Sequence, residues 1–124
     1  MFKHTMTLVA LVSALALGAC GNKEEKSGEQ AKAAQPLPGD PIKGKAVFEQ
    51  YCQSCHGADG KGNNGLGANF VEDKSRLAKS NEELLKSIRE GKQGKVGTMP
   101  AQKGVLTDQQ MKDALSYIRK TWGG

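Results

Sequence analysis

With 124 residues and a formal charge of +5, the chain has room for one domain and no more. Aromatic residues make up 5% of it and charged residues 25%, which excludes a thick core built from side chains alone. Small domains of this kind become stable with a disulfide, a metal or a cofactor, so something other than side chains is expected to fill the middle.

The N-terminus supplies a compartment. Lys3 and His4 form a short basic region, and residues 6–17 are apolar apart from Thr7 and Ser13. A bilayer span needs about 20 apolar residues; this run stops short of that and reads as an export signal. Leu17-Gly18-Ala19-Cys20 resembles the lipobox of bacterial lipoproteins, in which the cysteine is acylated after cleavage. Residues 1–19 are therefore expected to be a signal peptide and Cys20 the lipidated first residue of the mature chain. Lipidation would also account for an odd number of cysteines in an exported protein. Residues 20–40 carry Leu37 as their only large apolar side chain and read as a flexible polar tether to a membrane, stiffened near Pro36 and Pro38.

The folded domain is expected over 41–124. Asp40 is placed to cap a helix with Pro41 at its first position, and Gly44, Val47, Phe48 and Tyr51 recur on one helical face up to about Cys52. Glycine inside a helix is unfavourable by about 1 kcal/mol relative to alanine, so Gly44 is expected to let another element approach closely.

At the end of that helix stands Cys52-Gln53-Ser54-Cys55-His56, a Cys-x-x-Cys-His haem attachment motif. Two thiols one helical turn apart can add to the two vinyl groups on one haem edge, and the adjacent imidazole can then ligate the iron from one face. A thioredoxin-like pair would sit beside a strand-helix-strand pattern, and no convincing strand is predicted anywhere in the domain. A structural zinc site would need further Cys or His ligands that do not follow. A plain disulfide between Cys52 and Cys55 leaves His56 unexplained.

His56 is the only histidine after the signal segment, so a second axial ligand from the chain has to be of another type. Met111 shares a helical stripe with Ala114, Leu115, Ile118 and Trp122 and reads as core. Met99, in Gly97-Thr98-Met99-Pro100, lies in a loop that could hold a thioether toward the iron. Two capping boxes, Ser80-Asn81-Glu82-Glu83 and Thr107-Asp108-Gln109-Gln110, open two further helices. The first carries Leu84, Leu85 and Ile88 and is stopped by Gly91; the second carries the Met111 stripe.

Over 41–122 these features resemble the class I cytochrome c family: Gly44 and Phe48 in a first helix, the haem motif, a glycine-rich loop over 57–67, a middle helix, Met99-Pro100, and Tyr117 in the last helix. The resemblance implies an all-α cytochrome c-like fold, with three main helices and long loops around one covalent haem c. It also implies that the first and last helices cross at Gly44, near Ala114 and Tyr117. Where the family often has Gly-Pro before an apolar residue, this chain has Gly67-Ala68-Asn69-Phe70; the Ala68 carbonyl is left to accept the histidine N–H.

Cys52 and Cys55 as attachment points with His56 and Met99 as axial ligands would leave the iron no vacant position. The expected function is that of a single-electron carrier in an extracytoplasmic, respiratory-type chain, monomeric and not an enzyme. From Pro41 onward there are 14 Lys plus Arg against 9 Asp plus Glu. A basic face suits redox proteins with acidic docking surfaces, and Lys61, Lys92, Lys95 and Lys103 are expected near the haem edge. Export and the lack of a supporting motif argue against nucleic acid as a partner. The competing reading is a haem-based gas sensor or peroxidase-like enzyme whose methionine dissociates, and the missing second histidine counts against the latter.

Overall fold

The computed structural model describes residues 36–95 and 97–124. The expected signal peptide, the lipidation site Cys20 and most of the tether lie outside the described residues. The order of elements is α1 (Pro41–Tyr51), α2 (Gln53–His56), a 3-10 turn (Lys74–Arg76), α3 (Asn81–Glu90), β1 (Lys92–Gln93), β2 (Thr98–Met99) and α4 (Asp108–Trp122).

Each long helix starts where its capping chemistry sits. The Asp40 carboxylate accepts from the N–H groups of Ile42 and Lys43 ahead of α1. Both capping boxes close, with Ser80 paired to Glu83 and Thr107 to Gln110, so two donors at each helix start are satisfied by the chain's own first turn. The first helix ends at Tyr51, with Cys52 as its C-cap. The attachment motif therefore runs into a separate single turn, α2, rather than continuing the helix.

The long helices α1 and α4 cross where Gly44 meets the backbone of Asp113 and Ala114; a Cβ at residue 44 would overlap the Asp113 carbonyl. The glycine's conformational cost is offset by this close approach. Tyr117, expected near this crossing, packs on Phe48 of α1, with ring centroids 5.4 Å apart. Around the crossing, Val47, Leu85, Ile88, Leu106, Met111, Ala114 and Leu115 form one buried cluster, and Phe48, Phe70, Leu77 and Ile118 a second. Met111 belongs to the core, as its helical spacing predicts.

Two expectations change. The region after α3 holds a strand pair, where none was predicted: β1 and β2 run antiparallel with Lys92 opposite Met99 and Gln93 opposite Thr98. Two residues per strand are too few for the alternating pattern that marks a strand in sequence. The polar segment before residue 41 is also fastened to the domain at its end. Gly39 N–H donates to Ser116 Oγ at 2.7 Å and Asp40 N–H to Asp113 Oδ1 at 2.7 Å, while Asn81 Nδ2 donates to the Pro36 carbonyl. These bonds explain why Ser116 and Asp113, 0% and 4% exposed, are tolerated as buried polar residues on α4.

Candidate haem-binding site

Two adjoining cavities, of about 200 and 110 Å³, share Cys52, His56, Ala68, Arg76, Lys92 and Met99 in their walls and form one continuous cleft. Five chain segments contribute to it: the α1–α2 junction supplies the thiols and the imidazole, the loop after α2 supplies Ala68 and Phe70, the hairpin supplies Met99, and the inner wall is Leu84 and Ile88 from α3 with Leu115 and Ile118 from α4. Cys55 lines the first cavity beside Cys52, and neither cysteine is joined in a disulfide. Among the described residues no group of three or more His, Cys, Asp or Glu could hold a metal ion, and no strand-helix-strand unit accompanies the cysteine pair.

His56 is held on two sides. Its ring stacks on Phe70, with centroids 4.7 Å apart and planes inclined by 15°. Its Nδ1 faces the Ala68 carbonyl oxygen at 3.3 Å. The tautomer that donates there leaves Nε2 as the free lone pair, the form an imidazole needs to ligate a metal. Burial pushes the His56 pKa down, opposed by the Ala68 bond, so the ring is neutral at neutral pH. Thus Ala68 occupies the position that the missing proline left open. Burial, with a smaller push from neighbouring Cys55, raises the Cys52 thiol to about 11 and keeps it protonated.

Met99 is positioned by backbone pairing. Its strand is bonded to β1, and Gly94 N–H closes the turn on the Gly97 carbonyl at 2.9 Å. Gly91, at φ +78°, brings the end of α3 against the Met99 carbonyl and leaves no room for a Cβ. Such a backbone angle is one that glycine adopts without strain. Met99 is half-buried, packed against the core cluster that contains Met111.

Of the four lysines expected at the edge, Lys92 and Lys95 line the cleft, whereas Lys61 and Lys103 are not among its lining residues. Three contributors escaped the sequence reading. Phe70 and Arg76 lie in a segment without helical period, and Lys79 reads in sequence as an ordinary surface residue but lines the second cavity. A further anchor, Arg119 on α4, donates Nη1 to the Leu77 carbonyl at 3.0 Å and Nη2 to the Lys79 carbonyl at 2.6 Å, pinning the loop that carries these cations.

A family model described as cytochrome C oxidase, cbb3-type, subunit III, matches residues 39–118. The chain belongs to this family of c-type cytochromes. The cbb3-type cytochrome c oxidase subunit FixP of Bradyrhizobium diazoefficiens is 39% identical over 85 residues, which cover 68% of this chain and 29% of that protein. The FixP of Rhizobium meliloti is 38% identical over 81 residues, 65% of this chain and 27% of that one. The chain thus spans under a third of the length of the curated relatives it matches. Among solved structures, the c-type cytochrome XoxG from Methylobacterium extorquens AM1 superposes with a TM-score of 0.51 at 26% identity, over 67% of this chain and 51% of that one. A c-type cytochrome named KustC0563 gives 0.51 at 24% identity, over 63% and 95%. The helix-rich cytochrome c fold is therefore as expected, and with it the family's covalent haem c. Among the described residues no helix is long and apolar enough to cross a membrane.

Proposed function

We propose that the protein is a mono-haem c-type cytochrome that carries single electrons outside the cytoplasm, held to a membrane by a lipid on Cys20. The observation that carries this reading is that Met99, far from the Cys52–His56 motif in sequence, lines one cleft with Cys52, Cys55 and His56, a set chemically suited to one haem. The donor set fits the group: two free thiols for thioether bonds, a neutral imidazole with its second nitrogen engaged, a thioether, and apolar side chains behind them.

When bound, the haem supplies a one-electron iron couple. The chain's own contribution is to hold the ligands still. Phe70 and Ala68 fix the ring of His56, and the hairpin fixes Met99. His56 and Met99 would hold the iron between them and leave no place for a substrate, and ligands fixed in this way would keep the rearrangement on electron transfer small. A thioether ligand raises the potential relative to two nitrogens. Lys95 at the mouth suits acidic redox partners. In this reading the chain acts as a monomeric carrier and not as an enzyme.

The test is the visible spectrum of protein matured with haem-attachment machinery, in both oxidation states, for wild type and Met99→Ala. Expected are a low-spin c-type spectrum, haem that stays with the chain on a denaturing gel, and a weak far-red sulfur-to-iron band that the mutant loses. A high-spin wild-type spectrum that shifts with carbon monoxide would instead establish a gas sensor or peroxidase-like enzyme.

A further inference from the structure

Four cations gather at the cleft. Arg76, from the 3-10 turn, and Lys92, from β1, line both of its halves, Lys79 lines one and Lys95 the other. Arg76, Lys79 and Lys92 meet in the wall of the same half of the cleft. Two neighbouring acids are already engaged. Asp73 accepts from Arg76 Nε at 2.8 Å, and Glu83 accepts from the Ser80 N–H and hydroxyl at 3.0 Å each. The other elements bring no compensating charge to the cleft: α1 contributes Tyr51, the loop after α2 contributes Leu66, Ala68 and Phe70, and α4 contributes Leu115 and Ile118. Like charges brought together in this way call for an anion between them.

We propose that Arg76, Lys79 and Lys92 bind the propionate carboxylates of the haem. This assignment rests on the haem reading above and adds to it which residues take the acidic edge. The Asp73 bond uses Arg76 through Nε, so the terminal nitrogens of the guanidinium remain available for a carboxylate. The two lysines supply point charges for the second. Arg119 keeps the geometry built rather than incidental, because its two bonds fix the backbone of Leu77 and Lys79. Lys92 is also the cross-strand partner of Met99, so the same hairpin would hold an axial ligand and a propionate.

Cations on both propionates keep them ionised through the neutral range, and the midpoint potential is then flat with pH. The experiment uses haem-loaded full chain: wild type, the triple variant Arg76→Gln/Lys79→Gln/Lys92→Gln, the single variants Arg76→Gln and Lys92→Gln, and Lys61→Gln as a control outside the cleft. Potential is followed against pH, together with carbon NMR of propionate carboxyls labelled in the haem. Expected is a flat curve for wild type and control. In the triple variant at least one propionate should bind its proton about tenfold more tightly, and a potential that falls as pH rises should appear. The single variants show the same change at smaller size and carry the test should the triple variant fail to mature. Low-spin haem protein whose pH curves and propionate resonances coincide in all variants overturns the assignment while leaving the haem reading intact. So does a set of variants that differ only in the salt dependence of reduction by an acidic partner, which would make the cluster an outer docking patch. A wild-type chain that retains no haem overturns both.

Discussion

The two sides of this domain are built differently. On one side α1 and α4 cross at Gly44, and Phe48, Tyr117 and Trp122 fill the junction with ring centroids 5.2 to 5.7 Å apart. On the other side the cleft is walled by a glycine-rich loop, a 3-10 turn and a hairpin of two residues per strand, with Leu66 58% exposed at the mouth. The first side is side chain against side chain. The second has apolar walls facing a space, so its order depends on what occupies that space.

The largest expected effect follows from removing the occupant. Chain produced without haem attachment is expected to lose its cooperative thermal transition, with residual amide protection confined to α1 and α4. A sharp transition in the haem-free chain, followed by circular dichroism and hydrogen exchange, would break the comparison. Next is Gly44→Val, which drives a branched side chain into the Asp113 backbone. We expect a loss of about 3 kcal/mol or more in the haem-loaded protein, read by denaturant titration, because neither backbone can yield without parting the helices. Phe48→Ala empties a site that is 1% exposed and is expected to lose about 3 kcal/mol by the same measurement.

On the cleft side the expected losses are smaller. Arg119→Met removes the donors to the Leu77 and Lys79 carbonyls and is expected to lose about 2 kcal/mol. Hydrogen exchange should rise in residues 74–80 more than in α1. Ser80→Ala opens the capping box of α3 and is expected to lose about 1 kcal/mol, measured as a small downward shift in melting temperature. An equal rise in exchange across both sides for Arg119→Met would show that the two sides do not behave as separate units.

Helix positions were legible because their causes are local. Asp40-Pro41 and the two capping boxes mark the helix starts within four residues, and the apolar stripes identify Val47, Phe48, Leu85, Ile88, Met111 and Leu115 as buried. The attachment motif stands out because its spacing is chemical, and Met99 is singled out as a candidate because few other ligands are left. Less legible was everything fixed by distant partners. The strand pair is too short to leave a period, Phe70 meets His56 across fourteen residues, and the binding of Gly39 and Asp40 to Ser116 and Asp113 joins segments more than seventy residues apart.

By itself, then, the sequence determined three helices, their faces and the set of cofactor-binding candidates, since propensity, capping and motif spacing act over a few neighbouring residues. The tertiary structure decided that Phe70 stacks on His56, that Gly39 and Asp40 bind Ser116 and Asp113, and that Arg76, Lys79 and Lys92 share one rim while Lys61 and Lys103 stand apart from it. Those outcomes depend on how loops without a period close around the helix crossing, and only long-range packing sets that closure.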